Sequence, residues 1–162
     1  MLDAAIAALA RLRAQDASLL GQGLSPENAQ ACLHQAIRPL NRESLSAACA
    51  AAMPVPSSVA IVVPYGVFTT PIEWTAIAAA AGASVHLKAP SRDPAFVRCM
   101  AEIFCDEGFD VTWSTDRNMP SVDAVLAFGD DASVAAIREQ NRDATVVAYG
   151  HKFSVAFVTG DP

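Results

Sequence analysis

A continuous apolar run, Val59-Ala60-Ile61-Val62-Val63, constrains this chain more than any other stretch. Its β-branched residues, with no polar alternation, suit a strand buried on both faces, and such strands belong to parallel sheets covered by helices on either side. Pro64 ends the run, and a loop holding Gly66 and Pro71 follows. Ile72 to Ala81 is Ala-rich and loses little entropy on becoming helical, with Gly82 as its stop. Ser84 to Lys88, with Val85 and Leu87 on one face, reads as the next strand. Val59 to Pro90 is therefore a βαβ unit.

The remaining chain continues that alternation. Asp93-Pro94 starts a helix with Asp93 as N-cap and Phe96, Val97, Met100, Ile103 and Phe104 on its apolar stripe, closed by Gly108. Phe109 to Trp113 predicts a strand, Thr115 to Pro120 a polar turn, and Val122 to Phe128 a buried strand. After Gly129 come a helix over Ala132 to Gln140, a strand over Thr145 to Tyr149, and a last apolar run over Phe153 to Thr159. Strands alternating with helices predict an α/β fold, a Rossmann-like, doubly wound, mainly parallel sheet. Before it, Leu2 to Gly21, a Ser25-capped segment to about Ile37, and Glu43 to Met53 predict three helices. Residues 1–53 thus form a helical lead-in and 54–162 the α/β domain. The lead-in has three uses open to it, a lid, an oligomerisation arm or packing against the sheet's outer face, and the last is the expectation.

Composition narrows the function. The chain has 162 residues, is 52% hydrophobic with a mean hydropathy of +0.28, and carries a formal charge of −6 without a basic stripe. Nucleic-acid binding needs clustered Lys and Arg and is not expected. No apolar run is long enough for a membrane helix and the start is not that of a signal peptide, so the expected location is cytoplasmic. Cys32, Cys49, Cys99 and Cys105 have no metal-ligand spacing and are expected to be reduced, partly buried thiols. His34 is expected to be an ordinary helix histidine rather than a ligand.

Three stretches carry a resemblance: the strand, Pro-aromatic-Gly loop, small-residue helix and VHLKAPSRDP from Val59 to Pro94; DAVLAFGDDASVAAIRE at Asp123 to Glu139; and VVAYGHKFSVAFVTGDP at Val146 to Pro162. Together they resemble the cofactor-binding half of the aldehyde dehydrogenase superfamily, most of all its acyl-CoA reductase branch, the LuxC-type reductases. The resemblance covers roughly the last two-thirds of the chain. It implies NADPH-dependent reduction of an acyl-CoA to an aldehyde through an acyl-cysteine. NADP is the implied cofactor, with NAD possible. It also places the nucleophilic Cys beyond Pro162, in a catalytic domain this chain lacks, so no catalytic residue is expected here. The implied partners are a dinucleotide and either the missing domain or a second copy.

In such a sheet the ligand crevice lies outside the carboxyl ends of the strands, which marks the loops Pro64 to Pro71, Lys88 to Asp93 and Gly129 to Ser133. The sequence has no GxGxxG. Lys88 resembles the superfamily's lysine that binds the adenosine ribose; the plain alternative is a lysine ending a strand in solvent. Ser91 and Arg92 suit a 2′-phosphate better than a bare diol, against a solvated turn as the alternative. Gly129 and Ser133 bracket a helix start able to receive pyrophosphate, although Asp130 and Asp131 would repel it unless one caps the helix. Tyr65 and Gly66 stand near the place of the family's oxyanion-stabilising Asn, which is absent, and Ala148 stands where the family keeps a basic Glu. His151 is a lesser candidate, as a histidine able to titrate usefully, against the alternative that it only shapes the turn. The rival reading is a non-catalytic interaction module derived from the same superfamily.

Overall fold

The computed structural model describes residues 1–16, 23–52 and 54–149. In chain order it contains α1 (Leu2–Arg13), α2 (Pro26–Ile37), α3 (Arg42–Ala51), β1 (Ser58–Val62), α4 (Pro71–Ala80), β2 (Ser84–Lys88), α5 (Ala95–Asp106), β3 (Val111–Ser114), β4 (Ala124–Phe128), α6 (Asp131–Gln140) and β5 (Thr145–Tyr149). The five strands form one sheet in the order β3-β2-β1-β4-β5, and every pairing is parallel. The expected α/β, Rossmann-like sheet is therefore present, with β1 at its centre. The first helix stops at Arg13, short of the expected Gly21, because Ala14 caps it by turning its amide back onto the carbonyls of Ala10 and Arg11, and the third stops at Ala51; Met53 and the run Phe153 to Thr159 lie outside the described residues.

Alternation along the strands sorts the core into two unequal parts. Val59, Ile61, Val85, Leu87 and Val111 belong to the larger cluster with the buried faces of α1 to α5. On the opposite face Ala60, Val125 and Ala127 form a small cluster with Ile137 of α6 and with Met119 and Val122 of the crossover between β3 and β4. Both faces of β1 are thus covered, which is what its unbroken apolar run requires.

Helix α4 is apolar almost all round because it is enclosed on two sides. It packs on β1 and β2 beneath, and α1, α2 and α3 lie over it. The lead-in therefore forms a second helical layer on α4 and α5, not a direct cover for the sheet as expected. The reason is that α4 and α5 already occupy that face, and an Ala-rich helix lets further helices approach closely. Caps fix the layer's geometry. Ser25 Oγ accepts from Asn28 N, and Asn41 and Ser44 exchange reciprocal bonds in a capping box. Arg11 of α1 reaches Asp106 at 2.7 Å and Glu107 at 2.9 Å, at the end of α5.

The amino ends of the strands are pinned by serine-aspartate pairs. Asp123 Oδ2 accepts from Ser58 N at 2.9 Å and from Ser58 Oγ at 3.1 Å, and Ser84 Oγ donates to Asp110 at 2.5 Å. The loops that follow the strands lie at the opposite, carboxyl end.

Candidate functional site

Because all strands run the same way, the loops after β1, β2 and β4 emerge at one edge of the sheet. The loop after β1 turns at Gly66, whose φ of +100° lies in the region glycine enters without steric cost. Phe68 then anchors that loop, its ring 4.8 Å from Phe96 of α5 in an edge-to-face arrangement at 81°. The loop after β2 is held at Asp93, whose Oδ1 accepts from Ala95 N at 3.3 Å, with Pro94 in the cap position itself. The sequence expectation put the cap at Asp93 and Pro94 at the first helical position; Pro94 takes the cap position instead, and the Asp93 carboxylate braces the turn before it.

Between these two loops lies a cleft of about 420 Å³ lined by Val62, Val63, Tyr65 and Lys88 to Arg92. Four of the seven residues singled out from the sequence, Tyr65, Lys88, Ser91 and Arg92, share it. The Arg92 guanidinium stands 5.9 Å from the centre of the Tyr65 ring, so the two long side chains face each other across the opening. Gly66 turns the chain beside Tyr65 but does not line the cleft.

Lys88 is half-buried, and its ammonium donates to the carbonyls of Ala89 and Thr115, each at 3.0 Å. It is thus a lysine tied to the end of the neighbouring strand, not one waving in solvent. Burial lowers its pKa from the ordinary lysine value, and Asp116 pulls the other way. The ammonium has three protons, so two carbonyls leave it one for a ligand.

Gly129 and Ser133 sit elsewhere on the same edge. Strand β1 lies between β2 and β4, so Gly129 is two strand spacings, roughly 10 Å, from the end of β2. Asp130 caps α6, its Oδ1 accepting from Ser133 N at 2.7 Å. A phosphate would therefore have to displace a carboxylate to use that amide. Asp130 thus takes the capping option open to the two acids. The Gly129 amide leans on Tyr149 O at 3.4 Å, and a Cβ at Gly129 would meet the Ser133 Cβ at 3.3 Å, so the turn is closely packed on its helix.

His151, together with Lys152, lies outside the described residues. Ala148 lies in β5 with its side chain against the smaller core cluster. His34 faces Gln30 at 2.9 Å on α2, away from the sheet edge. The four thiols are free and none lines the cleft. Cys49 and Cys99 are part-buried, and burial pushes both thiols up. Cys32 and Cys105 are exposed, against the expectation of partial burial, although the Cys105 thiol donates to Val111 O of β3 at 2.8 Å. Among the described residues no cluster of His, Cys, Asp and Glu could hold a metal ion.

Sequence reasoning passed over His86. Ser84, His86 and Lys88 alternate with Val85 and Leu87, so all three point to the sheet face opposite the main core. The imidazole lies 2.9 Å from Thr112 Oγ1 and 3.1 Å from Ser114 Oγ on β3. A polar residue at every second position of an otherwise buried strand was the available signal.

No known family profile matches the sequence, and no curated protein does. Solved structures do match in fold. Betaine aldehyde dehydrogenase from Staphylococcus aureus, in complex with NAD+, superimposes with a TM-score of 0.72 at 14% identity over 92% of this chain. NADP-dependent glyceraldehyde-3-phosphate dehydrogenase from Bacillus halodurans, complexed with NADP, gives 0.69 at 14% over 92%. Proline Utilization A from Corynebacterium freiburgense gives 0.73 at 17% over 92%. The chain spans 37%, 39% and 18% of those three proteins. At such identity the likeness is one of fold.

Proposed function

We propose that this chain is the nicotinamide-cofactor-binding portion of an acyl-CoA reductase in the aldehyde dehydrogenase superfamily, with NADP(H) as cofactor. The observation that carries the reading is the cleft. Tyr65, Lys88, Ser91 and Arg92, marked from the sequence at separate loops, meet around one opening at the carboxyl edge of the sheet. Solved chains of the same fold bind NAD+ or NADP. The adenosine ribose would lie at Lys88, whose remaining ammonium proton can meet a hydroxyl. Ser91 and Arg92 would meet a 2′-phosphate, and the Gly129 turn would lie along the diphosphate, with Ser133 behind it.

The chemistry assigned to these residues is binding and orientation. When bound, the cofactor supplies the hydride; the acceptor thioester would form on a cysteine supplied from outside the described residues. The test is calorimetry with NADPH and NADH against Arg92→Ala. A charge-assisted hydrogen bond to phosphate is worth about 1.5–3 kcal/mol, so the variant is expected to lose roughly tenfold or more in NADPH affinity and almost none for NADH. Equal losses for the two would remove the 2′-phosphate role.

A second reading, a non-catalytic interaction module that keeps the sheet, draws on one observation. Asp130 occupies the Ser133 amide that a phosphate would need. Absence of any dinucleotide binding to the wild-type chain would favour it.

A further inference from the structure

The loop after β1 holds an aromatic ring out over the cleft instead of burying it. Tyr65 is 61% exposed, yet Val63 before it and Phe68 after it are buried, and Phe68 is wedged against Phe96 of α5. The loop is thus anchored on both sides of a ring that faces solvent. What the ring meets is Arg92, whose guanidinium carbon stands over it, 5.9 Å from its centre. Among the described residues no carboxylate pairs with Arg92, whereas Arg11, Arg42, Arg98 and Arg142 each have one. The ring therefore attracts this cation to the cleft through its face and leaves the guanidinium N–H donors to a ligand.

We propose that Tyr65 is a positioning residue for Arg92, its ring holding the guanidinium over the cleft, and that it thereby sets part of the preference for a 2′-phosphorylated dinucleotide over the unphosphorylated one. The proposal rests on the reading of the cleft as a dinucleotide site and deepens it, since there Arg92 carried that preference alone. Pre-organisation is the physical basis. An unpaired arginine at the surface samples many rotamers, and the freedom it loses when an anion fixes it is subtracted from the affinity; a ring that already restricts the side chain reduces that loss. A carboxylate would restrict it too, as Asp106 and Glu107 restrict Arg11, but it would occupy the donors and cancel the charge that a phosphate needs. The Tyr65 ring is neutral and does neither. The ring face is the active part, so phenylalanine can replace tyrosine here and leucine cannot.

Calorimetry on the full chain with NADPH and NADH, which differ only in the 2′-phosphate, tests it through the ratio of the two affinities. Tyr65→Leu is expected to lower the NADPH-to-NADH ratio about two- to fivefold, the worth of a cation–π contact at an exposed site, with NADH affinity nearly unchanged. Tyr65→Phe is expected to keep the wild-type ratio. In an Arg92→Ala background, where the ring has no guanidinium to hold, adding Tyr65→Leu is expected to leave the ratio where it stands. Three results overturn the proposal while the cleft remains a dinucleotide site: equal losses for both cofactors in Tyr65→Leu, a ratio in Tyr65→Phe as low as in Tyr65→Leu, or a fall in the ratio that persists without Arg92. A wild type that binds both cofactors equally removes the preference that Tyr65 is proposed to support. If the wild type binds neither, the reading of the cleft fails and takes the proposal with it.

Discussion

Single residues decide more here by which backbone group they hold than by their charge. Lys88 reads from the sequence as either a ribose ligand or a solvated strand end, and nothing in the chain announces that Thr115, 27 residues later, supplies the carbonyl that fixes it. The contact exists only because β2 and β3 pair in parallel register, with Lys88 opposite Ser114. Asp123 is a parallel case at the other edge of the sheet, where its carboxylate takes both the amide and the hydroxyl of Ser58. Replacing it leaves the Ser58 amide without that partner at the start of the central strand. Asp123→Ala is expected to cost about 1 kcal/mol, a fall of roughly 2–4 °C in Tm, with Asp123→Asn closer to wild type because it keeps an acceptor. Thermal unfolding followed by circular dichroism checks this, and a variant as stable as wild type would show the pair to be incidental.

Elements were legible where a cap, a stop and a period agreed. The strand at Ser84–Lys88, the helix at Pro26–Ile37 and the strand at Thr145–Tyr149 stand where the sequence puts them, since Ser25, Gly82 and the apolar alternation act locally. What the sequence did not disclose was layering. The lead-in helices carry ordinary amphipathic patterns, and no local signal tells whether the apolar stripe meets a sheet or another helix. The site shows the same division. Four of its marked residues meet because loops at the carboxyl ends of parallel strands must share an edge; His86 was missed because its partners lie on β3. For α6 the structure poses a choice that binding can settle. Asp130→Ala removes the cap, costing about 1 kcal/mol, and frees the Ser133 amide while deleting a negative charge. If that turn lies along a diphosphate, the variant is expected to bind NADPH more tightly than wild type despite its lower stability. Unchanged affinity by calorimetry would take Gly129 and Ser133 out of the site.

At the scale of the whole molecule, the described residues supply a cleft at the carboxyl edge of the sheet and no thiol lining it. Burial pushes up Cys49 and Cys99, and neither Cys32 nor Cys105, whose thiol donates to Val111 O, lines the cleft. Thioester chemistry needs a thiolate next to the nicotinamide. The chain by itself is therefore expected to leave NADPH unoxidised when incubated with acyl-CoAs, followed by absorbance of the reduced nicotinamide. Turnover that disappears in Cys99→Ser or Cys105→Ser would show a nucleophile where the structure shows a part-buried thiol and a thiol bonded to the backbone of β3. The strand order has a further consequence, for how the chain reaches this state. Strands β1, β2 and β3 are joined by short helical crossovers and can pair as soon as β3 has emerged from the ribosome, roofed by helices already made. The other side of β1 must wait for β4, and the Ser58–Asp123 clasp closes a separation of 65 residues. Long-range parallel pairing is the slow kind. Until it completes, the centre of the sheet is an open edge of alanine, valine and isoleucine, and that interval during synthesis is when the chain most needs shelter from its neighbours.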